Sequence, residues 1–142
     1  MTYLLRNYLK NLKGEWYNET KDHYCQRYEV EKLLERHLFA EADDLYNGQK
    51  GRFSEDEYIS KKAKQIELYA KNRFKLKHSL DEQQSQALAD ISDNLLVTAR
   101  AGSGKTTVLT CKGMFLADCK YVNDPDSILM LAFNGKVADE IR

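Results

Sequence analysis

The sequence predicts an α/β fold in which a partial parallel-sheet unit over residues 80–142 follows an all-helical extension over residues 1–79, arranged as a helical hairpin. Three observations predict it. Leucines and tyrosines recur at helical spacing through the first 79 residues. After residue 80, two continuous apolar runs of strand length alternate with helical stretches, the order expected of a parallel sheet covered on both faces. Composition also shifts there: residues 1–79 hold 16 basic, 13 acidic and 12 of the 15 aromatic side chains, and residues 80–142 hold 6 basic and 9 acidic. Two segments with different tasks are expected, joined without a Pro/Gly/Ser-rich linker.

Tyr3, Leu4, Leu5, Tyr8, Leu9 and Leu12 mark a first helix that Gly14 can stop. Tyr17, Tyr24, Tyr28, Leu34, Leu38 and Phe39 then predict one long helix ending near Tyr46. Gly48 and Gly51 supply turn chemistry, and Ser54 with Glu57 three residues later reads as a capping box opening a third helix, whose buried stripe is Tyr58, Ile66, Tyr69 and Phe74. Leu80 to Ala89 reads as a helix, Asn94 to Ala99 as a buried strand and Lys105 to Cys119 as a helix. Pro125 breaks the chain before a second apolar run, Ile128 to Phe133, and a helical start follows from Gly135 to Arg142.

The chain has 142 residues, 42% of them hydrophobic and 31% charged, so disorder and low complexity are excluded. Its 22 basic residues cancel its 22 acidic ones, and any polyanion binding has to be local. No apolar run reaches membrane-spanning length, and the first ten residues lack the core of a signal peptide. A soluble, cytoplasmic protein with no membrane partner is expected. Cys25, Cys111 and Cys119 are odd in number and form no CxxC pair, which argues against a disulfide framework or a zinc site. His23, His37 and His78 have no partner spacing and receive no metal or catalytic assignment.

The most informative stretch runs Ala99, Arg100, Ala101, Gly102, Ser103, Gly104, Lys105, Thr106, at a predicted strand-to-helix turn. It is a P-loop in all but its first residue, where the strict pattern has Gly. Gly102 and Gly104 let backbone NH groups curl around a phosphate, and the following helix adds its positive N-terminal end. Lys105 is placed to reach the β and γ phosphates of ATP, and the Thr106 hydroxyl to be a ligand of Mg2+. The plainer alternative is a glycine-rich connection with a surface lysine.

Residues 80–142 resemble the start of the first motor domain of UvrD/Rep-like superfamily 1 DNA helicases, with helicase IV-type relatives closest in character. That family characteristically has Ala at the position of Ala99. Upstream it has a Q motif, which LDEQQSQAL resembles, and downstream a motif Ia, to which AFNGKVADEIR is similar. The resemblance implies a RecA-like P-loop NTPase fold with ATP and Mg2+ as cofactors. Its implied ATP-binding residues are Gln84, Ala99, Ala101, Gly102, Ser103, Gly104, Lys105, Thr106 and Thr107, with Gln84 on the adenine edge. Phe133, Asn134 and Lys136 are implied contacts to single-stranded DNA, and the parent activity is 3′-to-5′ translocation and unwinding. Asp81 and Gln84 also read as a capping box, and Lys136 and Phe133 also read as a solvated lysine and a core phenylalanine.

Arg100 stands where relatives often have Gly, which requires an ordinary negative φ there. Thr107 replaces a common Arg, and Asn134 with Gly135 replaces a usual Thr-Asn. The family's Asp-Glu motif, glutamine sensor and second-domain arginines do not follow within the 142 residues. A fragment of a larger helicase, inactive as an ATPase by itself, is therefore expected. Two further readings stand beside it: a catalytically dead module whose helical extension docks a protein partner, and a small P-loop nucleotide kinase, which the motif Ia likeness disfavours. Lys71, Arg73, Phe74, Lys75 and Lys77 form a basic stretch that either braces DNA or solvates a helix end.

Overall fold

A computed structural model describes residues 18–48, 54–132, 135, 136 and 139. The first predicted helix, the turn around Gly51 and the DNA-contact candidates Phe133 and Asn134 lie outside the described residues. Among the described residues the chain forms α1 (Asn18–Glu35), α2 (Phe39–Asn47), α3 (Glu55–Arg73), α4 (Glu82–Ala89) and α5 (Lys105–Asp118), followed by a short 3-10 turn at Pro125–Ser127. The chain divides into two compact units, residues 1–61 and 62–142, and α3 runs through the division.

In the first unit the expected single helix is two. His37 adopts a left-handed φ of 57°, its NH bonds to the Leu34 carbonyl at 2.9 Å and the Leu38 NH reaches back to Leu33 at 2.9 Å. That pair of bonds is a Schellman ending, which satisfies the last carbonyls of α1 and redirects the chain into α2. Val30, Leu34, Phe39, Ala42 and Tyr58 are buried, with the Tyr46 and Tyr58 rings stacked at 4.0 Å. Ser54 caps α3 through the Glu57 amide at 3.2 Å, and the Glu57 carboxylate pairs with Arg27. Asp43 accepts from the Tyr58 hydroxyl; burial, then that neighbouring carboxylate, raises the Tyr58 pKa.

In the second unit Ala63, Ile66 and Ala70 continue the buried stripe of α3, and Leu80, Leu88, Ala89, Cys111 and Phe115 are buried with them. Tyr69 meets Phe115 edge-on at 6.3 Å and donates to Asp118, which also takes the Arg73 guanidinium at 2.8 and 3.1 Å. Arg73 and Tyr69 together hold the Asp118 carboxyl below its usual range. Helix α5 ends as α1 does: Lys120 has φ 61°, and the Lys120 and Tyr121 NH groups bond to Ala117 and Leu116.

The expected parallel sheet is absent from the described residues, which contain no β-strand. Residues 94–99 and 128–132 run without regular secondary structure. The reason is that a strand exists only through a ladder partner, and the two segments find none among the described residues. Leu96, Leu129 and Leu131 are 88%, 80% and 77% exposed, so the apolar runs are not core either. The second segment turns inward at Met130, whose thioether methyl fills the space where a side chain would stand at Gly113 of α5. Amide exchange should therefore be fast at residues 94–99 and 129–132 and slow within α4 and α5. Strong protection at both apolar segments would show that a ladder forms in solution.

Candidate functional site

The site is built where the amino ends of α4 and α5 meet the loop over residues 99–104. Asp81 caps α4, accepting from the Gln84 amide at 2.8 Å, and Gln84 Oε1 accepts from the Asp81 amide at 2.9 Å, so the capping box is complete. The same side chain continues outward: Gln84 Nε2 donates to the Ser103 carbonyl at 3.1 Å. An amide has two lone pairs and two protons, and these bonds use one of each. One acceptor site and one donor site remain on Gln84.

Gly102 and Gly104 take φ of 77° and 82°, the left-handed conformation anticipated for a curled phosphate loop. Among the described residues, positive φ at non-glycine positions occurs at His37, Lys75 and Lys120, so Arg100 has the ordinary backbone that its replacement of Gly requires. Ser103 closes the loop on Arg100, with its NH at 3.2 Å and its hydroxyl at 2.6 Å from that carbonyl. Helix α5 then starts from Gly104 with no side-chain cap. Lys105 Nζ donates back across the loop to the Ala99 carbonyl at 2.9 Å, and Thr106 and Thr107 follow in the first turn.

Two clefts flank the Gln84–Ser103 bond, and both residues line each. One, of about 200 Å3, is bounded by Asp81, Ala99 and Lys105; the other, of about 540 Å3, by Leu76, His78, Leu80, Gly102 and Thr107. The second lies within the roughly 300–1,000 Å3 of small-ligand sites. The sequence marks its wall from Leu76 to Ser79 only as the tail of a basic stretch. Lys136 lies in a helical stretch, exposed. No group of three or more His, Cys, Asp or Glu side chains placed to hold a metal occurs among the described residues, and none of their helices is long and apolar enough to cross a membrane.

The far end of α4 carries residues that periodicity does not single out. Lys112 Nζ of α5 donates to the carbonyls of Ala87 and Leu88, each at 3.0 Å, and to that of Asp90. Lys62 Nζ, on a side chain only 1% exposed, donates to the Ala89 carbonyl at 2.9 Å and lies 5.3 Å from the Tyr121 ring centre. Hydrogen bonds from Ser92, helped by Lys112 and Lys62, hold the Asp90 carboxyl below its ordinary value.

This loop and its capped neighbour fall within a stretch that is similar to helicase motor domains. Residues 80–142 match the UvrD/REP helicase N-terminal domain family, which bears out the resemblance drawn from Gln84, the P-loop and the stretch after residue 132. The DNA helicase II of Salmonella typhimurium is 42% identical over 64 residues, 45% of this chain and 9% of that protein. The ATP-dependent DNA helicase PcrA of Staphylococcus epidermidis is 41% identical over 64 residues, again 45% and 9%, and that of Staphylococcus aureus 39% over 67 residues, 47% and 9%. The chain thus aligns with about a tenth of the length of these relatives. No solved structure matches it.

The two loop glycines differ in their surroundings, which separates backbone strain from crowding. A Cβ at Gly102 meets nothing within 4 Å, whereas one at Gly104 stands 2.9 Å from Gln84 Nε2. Gly102→Ala should lose about 1–2 kcal/mol, the strain of a left-handed alanine. Gly104→Ala should lose that and also displace Gln84, giving the lower denaturant midpoint of the two. Equal midpoints would show that Gln84 yields freely.

Proposed function

We propose that residues 80–142 are the nucleotide-binding part of an ATP-dependent DNA helicase. The observation that carries this reading is the loop at residues 99–106: two left-handed glycines and a lysine open a helix whose first NH groups have no side-chain cap. Lys105, Thr106 and the loop amides of Ala101 to Gly104 would hold the phosphates, with Ala99 and Thr107 at the two edges of the cradle. Thr106 fits the Mg2+ ligand position, since a hydroxyl in the first turn leaves the remaining coordination to phosphate and water oxygens. The metal supplies neutralisation of phosphate charge. Lys105 exchanges its bond to the Ala99 carbonyl for phosphate oxygens, a charge-assisted and therefore stronger partner.

Gln84 would read the base. Its remaining donor and acceptor match the N7 and N6 edge of adenine, so the capping box and base recognition are compatible rather than competing readings. The cleft beside Gln84, with Leu76 and His78 in its wall, would take the ring. In the parent protein ATP hydrolysis would drive 3′-to-5′ movement along single-stranded DNA, with Phe133, Asn134 and Lys136 on the strand. That the relatives are named as DNA helicases, two of them ATP-dependent, supports this reading.

Replacing the mobile cation tests the phosphate site. Lys105→Ala should weaken binding of a fluorescent ATP analogue about tenfold or more, roughly 1.4 kcal/mol; unchanged affinity would refute phosphate binding by this loop. The base is tested separately. ATP should compete better than GTP for the unmodified protein, because guanine O6 faces Gln84 with an acceptor, and Gln84→Ala should remove the preference. Equal competition before mutation would leave Gln84 as a cap alone.

A further inference from the structure

Helices α4 and α5 are joined at two places, and the second has no assigned purpose. At their amino ends the Gln84 amide bonds to Ser103 just before α5 begins. One to two turns further on, Lys112 grips the carbonyls that end α4, those of Ala87, Leu88 and Asp90. From Gln84 to Asp90 the chain rises about 9 Å, and from Lys105 to Lys112 about 10 Å, at the helical 1.5 Å per residue. The two helices therefore run side by side in the same direction, their amino ends converging on the loop. A helix of eight residues has little stability of its own, so its placement is set by what holds its ends. An ammonium satisfying three helix-end carbonyls is a strong fixing point, since those groups would otherwise be unpaired and the cation complements the negative end of the helix.

We propose that Lys112 is a positioning residue for base recognition: by fixing the carboxyl end of α4 to α5, it sets the height of Gln84 against the Ser103 carbonyl and thus against a bound purine. The proposal rests on the nucleotide-binding reading. It separates the lysine's two effects: satisfying α4 stabilises the fold, whereas placing Gln84 affects the base and leaves the phosphates to the loop. Lys112 lines neither of the two clefts.

The test uses the full chain, with Lys112→Met to remove the donors at similar length and Lys112→Arg to retain charge and donors. Two readouts are taken. The first, without ligand, is the side-chain amide resonance of Gln84 and its solvent exchange by NMR. The second is competition by ATP, GTP and inorganic tripolyphosphate against a fluorescent nucleotide. Lys112→Met should shift the Gln84 resonance and speed its exchange, and should reduce the ATP-over-GTP preference about fivefold or more, with tripolyphosphate affinity held within about twofold. Lys112→Arg should restore both. A lysine that merely stabilises α4 would lower the melting temperature and leave the Gln84 resonance and the preference unchanged, which overturns the proposal. If the unmodified protein binds no nucleotide, the nucleotide reading fails and base positioning with it, a result distinct from an unchanged Gln84 signal. Should Lys112→Met lose its helical circular dichroism, Lys112→Gln, which keeps two donors on a shorter arm, takes its place: a shifted Gln84 resonance with a reduced preference supports the proposal, and no change in either overturns it.

Discussion

A short helix whose carboxyl end is partly buried must find donors for its last carbonyls, and much of the second unit is arranged around that need. Four consecutive carbonyls at the end of α4, from Ala87 to the capping Asp90, are met by two lysines that arrive from different helices, Lys112 from α5 and Lys62 from α3. Lys62 can be buried at this point because the Ala89 carbonyl and the face of Tyr121 take the place of hydrating water. Both ends of α4 are thus bonded, and Gln84 in its first turn donates to the Ser103 carbonyl of the 99–104 loop at 3.1 Å.

The parts of the site that can be read from the sequence are those whose geometry is local. Asp81 and Gln84 sit one helical turn apart and close a capping box wherever a helix begins. Gly102 and Gly104 take the left-handed backbone that their type permits, and the φ of Arg100 removes the objection to its standing in a glycine position. The break at His37 is not readable, because the apolar period continues across it and a Schellman ending usually announces itself with glycine. Lys120 ends α5 in the same disguise.

The two apolar runs mislead for a different reason. Asn94 to Ala99 and Ile128 to Phe133 have the composition and length of buried strands, but strand identity belongs to a pair of segments and cannot be read from either alone. Described residues supply no ladder for them, and their leucines stay in water. Lys112 and Lys62 are hidden in the sequence for the converse reason: in a chain with 22 basic side chains, nothing local separates a lysine that closes a helix from one that is merely solvated.

Gln84 stands on the border between two clefts, and its single bond to Ser103 is part of the wall of each. Whatever enters one cleft and draws that amide toward itself alters the shape of the other, so the two compartments share one free energy. By linkage the influence is mutual and equal in size. For a molecule long enough to occupy both, the contributions of its two ends are therefore not additive: each half meets a protein already adjusted by its other half.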